Sequence, residues 1–169
     1  MTKENTWKVV YIASRQEKKV ALQLQREEID HFLPLYKKLS QWSDRKKWVD
    51  TPLFNGYLFV RPTDLQRDKI LELNGVVAYV RYNKDDAQVQ DKEIEIIKTV
   101  LSSGYSLETI SKPDDFEVGE QVLVTEGPLK GQKVDIIRQN NEKHFLVSFD
   151  TLGQSIKIEL PYQIFKKRN

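Results

Sequence analysis

The spacing of apolar residues divides the chain into a longer part that mixes strand and helix patterns and a final part with strand patterns alone. Trp7-Lys8-Val9-Val10-Tyr11-Ile12-Ala13 carries large side chains on both alternating sets, which predicts a strand buried on both faces and central in a sheet. Ser14-Arg15-Gln16-Glu17 matches a capping box, in which a hydroxyl and a carboxylate each satisfy an orphan backbone N–H. Val20, Ala21 and Leu24 follow at helical spacing, and the predicted helix ends near Glu28. His31 to Tyr36 is extended again, with Pro34 marking an edge or an interruption because it cannot donate to a ladder.

Residues 37–50 are polar and basic, with Trp42 and Trp48 flanking Ser43-Asp44-Arg45-Lys46-Lys47, a pattern for a projecting hairpin or loop. Leu53 to Val60 is the most apolar run and reads as a second central strand. Thr63-Asp64-Leu65-Gln66 is another capping-box match and opens a helix through Ile70 and Leu73, stopped by Asn74-Gly75. Val76 to Tyr82 reads as a strand. Asp91 starts a third helix with Ile94, Ile97 and Leu101 as its apolar stripe. The order βαββαβα implies helices packed around a small, mainly antiparallel sheet.

The stretch 102–115 is rich in Ser, Gly, Lys, Pro and Asp and reads as a linker between a domain at 1–101 and a second at 116–169. In the second domain, Gln121–Val124, Gln132–Arg138, Lys143–Phe149 and Ser155–Leu160 are short β runs separated by turn residues, which suggests a small five-stranded barrel. The expected fold class is therefore α+β, an α/β sandwich followed by a β-barrel.

Composition narrows the function. The 169 residues are 39% hydrophobic and 31% charged, enough apolar material for a core. No run approaches the roughly 20 apolar residues of a membrane helix. The first residues lack the apolar run of a signal peptide, so a cytoplasmic protein without membrane contact is expected. The absence of cysteine removes disulfides, thiolate metal sites and cysteine nucleophiles. The net charge is only +2, but residues 1–49 hold 11 Lys/Arg against 6 Asp/Glu. A local basic bias of that kind suits nucleic acid as well as a solvated surface.

Catalytic chemistry finds no support. His31 and His144 lie in unrelated strands without ligand spacing and read as structural. Glu27-Glu28, Asp85-Asp86 and Asp114-Asp115 read as solvated acidic pairs. Gly127-Pro128-Leu129-Lys130-Gly131 lacks the spacing and the Lys-Ser/Thr of a P-loop, and Pro128 removes one N–H a phosphate would use. It reads as a tight turn, with Gly127 and Gly131 supplying positive φ. No enzyme, cofactor or metal is expected.

Two segments carry a family resemblance. Trp7-Lys8-Val9-Val10-Tyr11, the helix after it, and Pro52-Leu53-Phe54-Asn55-Gly56-Tyr57-Leu58-Phe59-Val60 resemble the N-terminal domain of NusG-type transcription factors. Phe116 to Val124 with Gly127-Pro128-Leu129-Lys130-Gly131 looks like the KOW motif at their C-terminus. The wording Pro-Leu-Phe-x-x-Tyr-Leu-Phe-Val is closer to the specialised RfaH- and UpxY-type paralogues than to housekeeping NusG. The helix Asp64-Leu65-Gln66-Arg67-Asp68-Lys69 lacks RfaH's His-Thr-Thr contact to the polymerase gate loop.

The resemblance implies a monomeric, non-enzymatic elongation or antitermination factor. Its N-terminal domain would bind RNA polymerase at the clamp helices through Tyr11, Phe54 and Tyr57. Ser14, Arg15, Gln16 and Lys19 would touch the non-template DNA strand, with Arg45, Lys46 and Lys47 reaching DNA or polymerase. The KOW domain would recruit a ribosomal protein or Rho. A ribosome- or RNA-binding KOW module is the alternative, disfavoured by the complete N-terminal pattern and the modest charge. In RfaH the C-terminal domain can refold into a helical hairpin. Here the β-branched residues, the period-two alternation and Gly127, Pro128, Gly131 and Gly153 argue for strands instead.

Overall fold

A computed structural model describes residues 5–104, 107–110, 117–125, 130–139, 142–149, 154–158 and 165–166. The chain forms two compact units, Met1–Ile94 and Glu95–Asn169.

The first unit is built on an antiparallel sheet. Its strands are β1 (Trp7–Ile12), β2 (Asp30–Phe32), β5 (Tyr57–Arg61), β6 (Val76–Tyr79) and β9 (Gln88–Val89), in the order β2-β5-β1-β6 with β9 also pairing β1. β1 is central, as its two-sided apolar pattern implies. Trp7 and Val9 are buried on one face, Val10 and Ile12 on the other. The second face packs Val10, Ile12, Leu58, Val60 and Tyr79 against Val20 and Leu24 of α1 (Glu17–Arg26) and Ile70 of α2 (Asp64–Leu71). β2 is an edge strand, and Pro34 separates it from β3 (Leu35–Trp42). β3 and β4 (Arg45–Pro52) form the expected hairpin, paired from Leu35↔Pro52 to Trp42↔Arg45. A second, smaller hairpin joins β7 (Arg81–Tyr82) to β8 (Asp85–Asp86).

Three local expectations change. The run Leu53–Val60 is not one strand. Leu53 and Phe54 are buried but precede a turn, closed by Tyr57 N–H donating to Phe54 O at 3.2 Å, and β5 begins only at Tyr57. The strand expected over Val76–Tyr82 breaks at Val80, whose N–H turns to Val9 O. α1 starts without the Ser14 capping box. Its N-cap is Gln16, which makes no side-chain cap bond, and the helix ends at Arg26. The Thr63 box does form, with Gln66 N–H on Thr63 Oγ1 and Thr63 N–H on Gln66 Oε1.

α3 (Asp91–Ser102) buries Ile94, Ile97 and Val100, so Val100 rather than Leu101 completes its stripe. In the second unit, an antiparallel sheet runs β10-β14-β13-β12-β11-β15, comprising β10 (Leu107–Ile110), β11 (Glu117–Val124), β12 (Lys133–Gln139), β13 (Glu142–Phe149), β14 (Gln154–Ile158) and β15 (Phe165–Lys166). Among the described residues, five of these strands, β11 to β15, lie within 116–169, the number expected there. The sixth, β10, lies within the polar stretch read as a linker and pairs with β14. The described part of 117–158 is extended, as the β-branched pattern predicts.

Candidate functional site

The surface features of the first unit gather where the ends of β1, β4 and β5 meet the start of α1. Tyr11 and Tyr57 are cross-strand partners, with ring centroids 5.2 Å apart and planes tilted by 47°. Tyr11 is 41% exposed and Tyr57 half-buried, so the pair forms an aromatic surface at the end of an otherwise buried face. Phe54 is a correction. It is 1% exposed and packs edge-on against Phe59 at 6.2 Å, so it supports the turn from beneath and offers no contact surface. Its place in the apolar run between Leu53 and Phe59 accounts for this: burying a Phe ring in the core is worth more than presenting it to water.

Beside this pair lies a half-open groove of about 860 Å³ between the start of α1 and the β3–β4 hairpin. Ser14, Arg15 and Lys18 line one side; Trp42 and Val49 to Pro52 line the other, with Asn55 and Gly56 between. Of the predicted nucleic-acid residues, the groove thus unites Ser14 and Arg15. Gln16 and Lys19 do not line it, although Lys19 is exposed. Arg45, Lys46 and Lys47 are exposed at the far end of the hairpin. Lys18 and Trp42 were missed. Lys19 would neighbour Arg15 if both were helical, but Arg15 precedes the helix and has φ 62°. That left-handed residue shifts which lysine follows it into the groove. Gly127, Pro128 and Leu129 lie outside the described residues. Lys130 is exposed, and Gly131 has φ +87° as a turn requires.

The groove is braced by buried polar contacts. Glu17 is buried, at 6% exposure, and its Oε1 accepts the Gly56 N–H at 3.0 Å. Ile12 N–H donates to Gly56 O at 2.8 Å, which fixes the turn to β1. Gly56 has φ +81°, open to glycine and costly for other residues. On the other side of α1, Ala13 N–H donates to Gly75 O at 2.8 Å. A Cβ on Gly75 would stand 2.9 Å from Val20 Cγ2, so only glycine lets this turn lie against the helix.

Of the acidic pair Asp85-Asp86, Asp85 is exposed as expected, but Asp86 is the centre of a second cluster. Asp86 has a side chain 8% exposed and receives Lys8 Nζ at 3.0 Å, Arg67 Nε at 2.8 Å and Arg67 Nη2 at 3.0 Å. Arg67 also stacks 4.8 Å over the Tyr79 ring, and Tyr79 Oη donates to Arg67 O at 2.8 Å. The hydrogen bonds from Arg67 hold the Asp86 carboxyl below its ordinary range despite burial, and the same contact raises Arg67. Burial pushes the Tyr79 hydroxyl up to about 12. The cluster ties β8 to β1 and α2. It is structural: two cations neutralise the carboxylate, leaving no free base. His31 is likewise structural, with Nδ1 2.9 Å from Ile29 O. Among the described residues, no group of three or more His, Cys, Asp or Glu could hold a metal, and no helix is long and apolar enough to cross a membrane.

The first unit is thus an antiparallel sheet with α1 and α2 packed on one face and an aromatic pair at one end of its two interior strands β1 and β5. The sequence profile described as "Transcription termination factor nusG" matches residues 5–98, more than half of the chain. The chain belongs to the NusG family, a family of transcription factors rather than enzymes. Among solved structures, "Domain interaction in Thermotoga maritima NusG" matches with a TM-score of 0.61 at 19% identity, covering 97% of this chain and 97% of that one. Two structures of the MjSpt4:Spt5 complex, conformations A and B, match at 17% and 19% identity with TM-scores of 0.31 each. They cover 95% of this chain, and 96% and 95% of theirs. The likeness to the Thermotoga protein is one of fold.

Proposed function

We propose that this protein is a transcription elongation or antitermination factor, specialised for particular operons, that binds RNA polymerase through its N-terminal domain and suppresses pausing or termination. The Tyr11–Tyr57 pair carries this reading. Two rigid aromatic rings on adjacent strands of a well-packed sheet offer large contact area at low entropic cost, which suits a helical tip on a partner. The cationic start of α1, with Ser14, Arg15, Gln16 and Lys19, faces the non-template DNA strand, and the hairpin end, with Arg45, Lys46 and Lys47, reaches upstream DNA or polymerase. The second unit acts as a KOW-type barrel that recruits a ribosomal protein or Rho. Family membership over residues 5–98 supports the assignment. Co-purification with core RNA polymerase tests it: the intact chain is retained, and the Tyr11→Ala, Tyr57→Ala double variant is lost from the complex while its melting temperature stays near that of the parent. A folded double variant that binds polymerase normally would remove the proposed surface.

A further inference from the structure

Trp42 is a large apolar side chain with no core to join. It is 68% exposed, and it lines the groove opposite Arg15 and Lys18. Strand alternation places Trp42, Arg45 and Lys47 on one face of the β3–β4 hairpin, where Trp42 pairs directly with Arg45. None of Arg15, Lys18, Arg45 and Lys47 belongs to an ion pair among the described residues. Two carboxylates also line the groove: Glu17 accepts the Gly56 N–H, and Asp50, half exposed, lies 4.0 Å from Lys37 Nζ. An open indole face between unpaired cations therefore has two unmet partners, a flat π-system and an anion.

We infer that Trp42 is the base-stacking platform of the groove, and that its ligand is an unpaired nucleotide of single-stranded nucleic acid whose phosphates lie against Arg15 and Lys18. A duplex is unsuited, because its base faces are already stacked. An acidic peptide would use the cations but leave the indole unused. Base stacking on an aromatic side chain is sequence-tolerant, so Trp42 contributes affinity for unpaired strands in general rather than recognition of one sequence. The inference rests on the nucleic-acid reading of this groove and adds to it the residue on which an unpaired base stacks.

Fluorescence of the full chain tests it. The Trp48→Phe protein keeps Trp42 as its exposed indole, since Trp7 is 9% exposed. A short oligodeoxythymidylate is expected to quench its emission, and polyglutamate to leave it unchanged. Trp42→Leu is expected to weaken oligonucleotide binding by roughly 5- to 150-fold, and Trp42→Phe by much less. An abasic strand of equal length should bind the parent and Trp42→Leu alike. If Arg15→Ala, Lys18→Ala weakens binding while Trp42→Leu and the quenching show no effect, stacking is overturned and the nucleic-acid reading stands. If none of these variants weakens binding, both fall. Quenching by polyglutamate without quenching by the oligonucleotide would make the occupant an acidic peptide and overturn the inference.

Discussion

Glu17 Oε1 accepts the backbone N–H of Gly56 at 3.0 Å, across 39 positions of sequence. The bond joins the first turn of α1, which bears Lys18, to the turn that delivers Tyr57 to β5. A buried carboxylate thereby links the turn below the aromatic pair to the helix start that lines the groove. Glu17→Ala leaves the Gly56 N–H without its acceptor and is expected to lower stability by about 1–3 kcal/mol. Glu17→Gln keeps an acceptor oxygen and should lose less. Chemical denaturation of the two variants checks the order.

Tyr57 and Phe54 are three residues apart and predict opposite phenotypes. Phe54→Ala opens a cavity in the core and is expected to cost about 3–5 kcal/mol of stability. Tyr57→Ala removes a half-buried ring and should cost less stability, while weakening polymerase binding. Parallel melts and binding assays would show the two effects separating.

The Asp86 cluster predicts an acid-labile contribution. Its carboxyl is held below the ordinary value when folded, so the stabilisation is fully present above the unfolded pKa of about 3.9. It is lost as pH falls through the lowered folded value. Asp86→Asn should flatten that part of the pH dependence and lower stability near neutrality. Tyr79 works in the other direction: its hydroxyl is raised to about 12, so its contribution holds below about 10 and is lost as pH rises through about 12. Urea titrations from acid to alkaline pH on Asp86→Asn and Tyr79→Phe would test both signs.

Gly75→Ala introduces a Cβ 2.9 Å from Val20 Cγ2 at a residue with φ +97°. Both the strain and the clash oppose it. The expected loss exceeds about 1 kcal/mol, and a variant as stable as the parent would contradict the packing of this turn on α1.

For the second unit, NMR secondary shifts of the intact chain are expected to be extended across 117–124, 133–139, 142–149 and 154–158. Helical shifts there would place the protein with the fold-switching regulators, and masking of Tyr11 and Tyr57 would then follow.

Much of this was legible from residue order alone. The two-sided apolar run at Trp7–Ile12 specified a central strand, because burying both faces leaves no other place in a sheet. Thr63-Asp64-Leu65-Gln66 specified a helix start, because all its partners lie within one turn. The exposed hairpin at Leu35–Pro52 was equally local in origin. The tertiary structure decided the rest wherever a side chain had a distant partner. Glu17 satisfies the same local motif as Gln66 but bonds Gly56 instead, because Arg15 at φ 62° takes Ser14 out of capping position. Phe54 and Tyr57 share one apolar run, and only the turn at Gly56 sends one inward and leaves the other at the surface. Asp86 looks like surface acid until Lys8 and Arg67, 78 and 19 positions away, close around it. Periodicity encodes burial within an element. It does not encode which long-range polar partner a buried charge will find, since that depends on the crossing of elements that are far apart in the chain.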